Sequence, residues 1–152
     1  IDSEKIGVIG HSLGGSAALA MPRLREDIDV VVALESPYLY DIVGVKKSEF
    51  QWLQEDYPVP VLNIYSDSAW NHLSDWPQYA RNAEMIAASN ASIQNIHFPG
   101  AGHFSLTDLS LVSPWLARLL DGIPPDIEYR DYLQRVNQSI LLFVDHFLKS
   151  NI

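Results

Sequence analysis

Four short segments of the chain gather its apolar residues: 5–9, 29–34, 59–65 and 93–98. Each is rich in Val or Ile, as strands buried on both faces of a parallel sheet are. The stretches between them are helix-compatible. Residues 12–25 follow the first strand, a short helix over 47–54 follows the second, and 76–89 follows the third. Two more helices, over 105–120 and 129–149, follow the fourth. In the last, Tyr132, Val136, Ile140, Phe143, Val144 and Phe147 fall on one stripe that can pack on a sheet. Lys149 stands near its C-terminus, where the helix dipole favours a cation. Pro22 predicts a break or kink in the first helix. Gly122-Ile123-Pro124-Pro125 reads as a turn between the last two helices rather than a domain linker. The alternation of strand and helix predicts an α/β fold, with parallel strands joined by right-handed crossovers and flanked by helices.

Composition narrows the class. A chain of 152 residues, 47% of them hydrophobic, fits one domain over 1–152 with a real core. Ten basic against 19 acidic residues give a net charge of −9. That balance argues against a nucleic-acid partner, which calls for a basic stripe, and against charge-driven binding to anionic lipid. No run of 18 apolar residues exists, so no transmembrane segment is expected, and the chain reads as soluble in an undetermined compartment. With no cysteine, disulfides and thiolate metal sites are excluded.

The candidate chemistry begins at the end of the first strand, where Ile6-Gly7-Val8-Ile9 runs into Gly10-His11-Ser12-Leu13-Gly14-Gly15. G-x-S-x-G between a strand and a helix is a nucleophile elbow. The pattern alone arises by chance with odds of ~0.05 in a chain this long; the strand before it and the helix after it add weight. A serine hydroxyl is a weak nucleophile until a neighbouring base takes its proton. The elbow projects the Ser12 side chain above the sheet, with Gly10 and Gly14 expected to be glycine because a side chain would crowd the turn. The Leu13 amide, at the new helix N-terminus, is a natural half of an oxyanion hole.

The base and acid should come from loops after later strands, in the order serine, acid, histidine. His103, in Pro99-Gly100-Ala101-Gly102-His103-Phe104, lies just beyond the fourth strand and is the candidate base. His11 is expected to point away, His72 falls in a loop, His97 in a strand and His146 on the last helix. Two acids sit at strand ends and could orient the imidazole: Glu35, and Asp67 in Tyr65-Ser66-Asp67-Ser68. Either could equally be a turn-former. No metal or cofactor is expected, since neither H-E-x-x-H nor a histidine cluster at ligand spacing occurs.

Several segments together resemble the α/β-hydrolase superfamily. More narrowly, the chain is similar to the plasma-type platelet-activating-factor acetylhydrolases and dienelactone-hydrolase-like esterases. They are the elbow, Ala33-Leu34-Glu35-Ser36-Pro37, Pro60-Val61-Leu62-Asn63-Ile64-Tyr65-Ser66-Asp67, Gly102-His103-Phe104 with Thr107-Asp108, and the closing amphipathic helix. The resemblance implies a carboxylic ester hydrolase working through a Ser-His-acid triad and an acyl-enzyme. It implies a small-molecule ester or lipid substrate. In the acetylhydrolases the acid follows the strand after the elbow, which carries over to Glu35, although those enzymes use aspartate there; Asp67 then matches a non-catalytic acidic position. Such hydrolases carry about four more strands before the elbow, so the resemblance also implies the C-terminal half of an α/β-hydrolase fold. The open side of its sheet is then expected to be covered by an N-terminal half or by self-association. The alternatives are a catalytically incomplete fragment or interaction module, and a prolyl-peptidase-like serine peptidase. Tyr38, Leu39, Tyr40, Trp52, Trp70 and Trp76 could line an apolar acyl pocket or simply fill the core.

Overall fold

A computed structural model describes residues 4–122 and 127–149. Its centre is a four-stranded sheet built of β1 (Gly7–His11), β2 (Val30–Leu34), β5 (Val61–Tyr65) and β6 (Ile93–His97), in that order and all parallel. Between β2 and β5 runs an antiparallel hairpin, β3 (Ile42–Lys46) and β4 (Glu49–Trp52). The helices are α1 (Leu13–Leu24), α2 (Asp67–Trp70), α3 (Ala80–Ala87), α4 (Leu109–Val112), α5 (Pro114–Asp121) and α6 (Tyr129–Lys149). The α/β class and the parallel sheet flanked by helices are those expected from the alternation of elements.

The two central strands, β2 and β5, are buried at every position, because helices cover both faces. Side chains alternate between two cores. Val30, Val32 and Leu34 of β2, with Leu62 and Ile64 of β5, meet Tyr132, Leu133, Val136 and Phe143 of α6. Val31, Ala33 and Val61 meet Ala18 and Leu19 of α1, Met85 of α3 and the aromatic rings of Tyr38 and Tyr57. The stripe foreseen on the last helix faces the first of these cores; Ile140, Val144 and Phe147 complete its margin. β1 is an outer strand, and Ile9 on it is 55% exposed.

Three local expectations are corrected. Residues 47–54 do not form a helix: the pattern from Glu49 to Trp52 has period two, with Phe50 and Trp52 half-buried and Glu49 and Gln51 exposed. As part of this strand, Trp52 packs against the α1-side core. Lys47 and Ser48 make the two-residue turn with φ of 52° and 67°, the left-handed pair of a hairpin turn, without the glycine or asparagine that usually signals one. The helix expected over 105–120 is divided, because Pro114 has no N–H to continue a helix and instead starts α5 in its first turn. Pro22, conversely, neither breaks nor ends α1, which continues to Leu24. The turn expected over 122–125 lies outside the described residues beyond Gly122, whose left-handed φ of 67° caps α5.

Candidate active site

The parallel ladder continues one residue past the ends of β1 and β2. The amide of Ser12 donates to Leu34 O and that of Glu35 to Ile64 O, both at 2.8 Å. Immediately at these points the backbone turns sharply. Ser12 has φ 57° and ψ −127°, and Glu35 has φ 52°. A left-handed conformation in a residue with a side chain costs on the order of 1 kcal/mol or more and persists only where surrounding structure enforces it.

At Ser12 the enforcement is steric. A Cβ on Gly10 would lie 2.3 Å from Gly14 O, and one on Gly15 would lie 1.8 Å from Ser36 Oγ and 2.7 Å from Gly10 O. Gly10 and Gly15 therefore let the turn close on itself and on the next loop. Gly14 does not share this role: it is exposed, and a Cβ there meets nothing within 4 Å. The expectation that both glycines flanking the serine relieve crowding thus holds for Gly10 alone. The first intrahelical bond of α1 is Ser16 N–H to Ser12 O at 3.0 Å, so the Leu13 amide precedes the hydrogen-bonded ladder at the helix's positive end.

At Glu35 the enforcement is a polar network. Ser36 Oγ donates to Leu34 O at 2.7 Å, Ser16 Oγ to Pro37 O at 2.6 Å, Asn82 Nδ2 to Ser36 O at 2.9 Å and Tyr79 Oη to Glu35 O at 3.2 Å. The Glu35 carboxylate is 2% exposed as a residue. It accepts the Ser66 amide through Oε1, while Oε2 lies 3.6 Å from His103 Nδ1. A buried carboxylate requires such partners. The separation from His103 is longer than a hydrogen bond.

His103 is held from three sides. Its amide donates to Ser68 Oγ at 3.1 Å. The next two amides, of Phe104 and Ser105, donate to the two oxygens of Asp121 at 2.7 and 2.8 Å, and Ser105 Oγ adds a third bond to Asp121 at 2.8 Å. Gly102 is required beside this clamp, since a Cβ would fall 2.4 Å from Asp121 Cγ. Against expectation, His11 does not point away: its ring lies 4.4 Å from that of His103, and Nε2 is 3.0 Å from His103 O. A carbonyl only accepts, so His11 carries a proton on Nε2. Burial first, and then the nearby His103, lowers the His11 pKa from its ordinary 6.5.

Asp67, the other acid candidate, is directed elsewhere. Oδ1 accepts from His97 Nε2 at 2.7 Å, and Oδ2 accepts from the amide of Gly100 at 2.8 Å. His97 in turn stacks on Trp70, with ring centroids 4.6 Å apart.

Ser12, Glu35 and His103 share one open cleft of about 290 Å³. Leu13, Pro37, Trp76 and Tyr79 form apolar parts of its wall. Of the aromatic residues that could have lined an acyl pocket, only Trp76 does. Tyr38 is buried and donates to Asn63, Trp70 is taken up by His97, Trp52 packs on the core and Tyr40 faces solvent. His72 stacks on Trp76 at 4.5 Å. Asp121, Ser68, Tyr79 and His11 were not legible as parts of the site. A lone acid, a serine or a tyrosine far along the chain carries no spacing signal of its own. Among the described residues no group of three or more His, Asp or Glu could hold a metal ion, and no helix is long and apolar enough to cross a membrane.

No family model matches the chain, and no curated relative does. Among solved structures, the esterase domain of a Rhodothermus marinus protein is similar at 19% identity with a TM-score of 0.41. The alignment covers 77% of this chain, which spans 60% of that domain's length.

Gly15→Ala should destabilise by about 3 kcal/mol, because the added methyl meets backbone as well as Ser36. Gly14→Ala, at an open helical position, should stabilise by about 0.5–1 kcal/mol; urea denaturation reads both. The folded chain resists protonation of His11 more than the unfolded chain does. This contribution to stability is therefore complete above pH 6.5 and declines as pH falls below it. His11→Gln, which keeps a donor for His103 O, should flatten the loss of urea midpoint between pH 7.5 and 5.5; an unchanged slope would count against the assignment.

Proposed function

We propose that the chain carries the catalytic serine, histidine and acid of a carboxylic ester hydrolase, with Ser12 as nucleophile, His103 as base and Glu35 as acid. The observation that carries the reading is the convergence of three residues, remote in sequence, on one cleft. Ser12 is held in a left-handed turn, and the buried Glu35 carboxylate lies 3.6 Å from His103 Nδ1. The resemblance of the elbow and the later segments to α/β-hydrolases supports the same reading.

In this mechanism Ser12 Oγ attacks the ester carbonyl carbon as His103 Nε2 removes its proton. The carbonyl π pair moves onto oxygen, and the Leu13 amide stabilises that charge. Glu35 stabilises the imidazolium at Nδ1. Collapse of the tetrahedral adduct expels the alcohol, which takes the proton from His103 and leaves an acyl-Ser12 ester. Water, deprotonated by His103, repeats the sequence to release the acid and regenerate Ser12. A second oxyanion donor belongs to such a site; lacking one typically costs about 10²–10³ in rate. The similarity to acetylhydrolases and dienelactone-hydrolase-like enzymes extends the reading to short acyl or lipid esters.

A fluorophosphonate probe should label this chain at Ser12, and Ser12→Ala should abolish the labelling. Glu35→Gln should slow labelling about 10²-fold or more, and Asp67→Asn by less than about tenfold, because Asp67 acts on the His103 loop rather than on the imidazole. Undiminished labelling of Ser12→Ala overturns the reading, and the reverse ranking of the two acids overturns the choice of Glu35.

A further inference from the structure

We infer that Trp76 is an aromatic platform that selects a planar, uncharged group on the substrate. The inference deepens the ester-hydrolase reading and rests on it. Trp76 is 39% exposed, and it lines the cleft that holds Ser12 and His103. An exposed indole is ordinarily free to move, but this one is braced. One side stacks on His72, with centroids 4.5 Å apart and planes 12° from parallel, and its amide donates to His72 O at 3.0 Å. Its other neighbour is the Tyr79 ring, at 5.9 Å, and Tyr79 Oη donates to the Glu35 carbonyl at 3.2 Å. The ring is thereby tied, through two contacts, to the backbone of the proposed acid. Because the ring is already fixed, a ligand stacking on it orders little more.

Charge decides what kind of group the platform takes. Among the described residues no Lys or Arg lines the cleft, and the chain's net charge of −9 repels anions. Glu35 is the one carboxylate lining it among those residues, and it is buried and turned to Ser66 and His103 rather than to a cation. The rest of the wall is uncharged: the Trp76 indole, Leu13, Pro37 and Tyr79, with Ser68 and Gln78 as polar partners. An aromatic or conjugated ester group gains from such a surface both by area and by offset stacking, the latter by roughly 2- to 12-fold in affinity over a non-planar group of equal size. Esters whose acyl or alcohol part is planar and uncharged are therefore the substrate class assigned to this site.

The test uses the full chain labelled with ¹⁵N and follows its four tryptophan indole N–H signals. Trp76→Phe identifies the signal and keeps an aromatic ring in place. N-methylbenzamide, an uncharged isostere that is not turned over as an ester, is titrated against N-methylcyclohexanecarboxamide, benzoate and phenyltrimethylammonium. The expected result is a saturable shift of the Trp76 signal by N-methylbenzamide, at least about threefold tighter than by the cyclohexyl amide. Benzoate and the ammonium ion should bind about tenfold more weakly or worse. A Trp76 signal unmoved by N-methylbenzamide, or one moved equally by any of the other three, overturns the platform. Fluorophosphonate labelling of the same sample separates the two readings. Labelling at Ser12 without a Trp76 shift overturns the platform alone, whereas a saturable shift without labelling supports the platform and overturns the nucleophile.

Discussion

The site depends on the register of the parallel sheet. β1, β2 and β5 end side by side, with His11 opposite Leu34 and Leu34 opposite Ile64. Bonds from Ser12 to Leu34 and from Glu35 to Ile64 carry the ladder into the turns themselves. A slip of one residue would move every side chain of a strand to the other face. It would exchange Val30, Val32 and Leu34 for Val31 and Ala33 against α6, and it would carry Glu35 away from His103. The packing of two different cores on the two faces of β2 therefore fixes where Ser12 and Glu35 stand.

Between Glu35 and His103 lies a short segment that touches both. The Ser66 amide binds the Glu35 carboxylate. The Asp67 amide donates to Ala101 O at 2.9 Å, its carboxylate accepts from Gly100, and Ser68 Oγ accepts from the amide of His103. Residues 66–68 thus link the two groups whose relative position matters most, and Asp121 secures the far side of the His103 loop. Asp67 stands at a strand end, but its carboxylate serves the backbone of the His103 loop at Gly100 and the ring of His97 rather than the imidazole of His103. Glu35 is the carboxylate that faces the His103 ring.

How much of this the sequence disclosed follows physical lines. β2 and β5 were legible because strands buried on both faces must be apolar throughout, β1 and β6 by their clustered Val and Ile, and α6 because its stripe keeps helical spacing over 21 residues. The elbow was legible at Gly10, where close backbone approach demands glycine, although Gly14 carries no such demand. The β3–β4 hairpin was not, since Lys47 and Ser48 supply left-handed turn residues of the wrong type. Nor was the orientation of His11, and the residues by themselves left Glu35 and Asp67 both open, with the resemblance alone favouring Glu35. Each depends on contacts across 30 or more residues, such as Glu35 with Ser66 and Asp67 with His97, and leaves no periodic trace.

The central claim is that Glu35, and not Asp67, orients His103. Proton NMR of the imidazole Nδ1–H of His103, assigned by its loss in His103→Gln, tests this without requiring turnover. The account predicts a strongly downfield proton when His103 is protonated, present in the unaltered chain and in Asp67→Asn and lost in Glu35→Gln. A signal that survives Glu35→Gln and disappears in Asp67→Asn would contradict it.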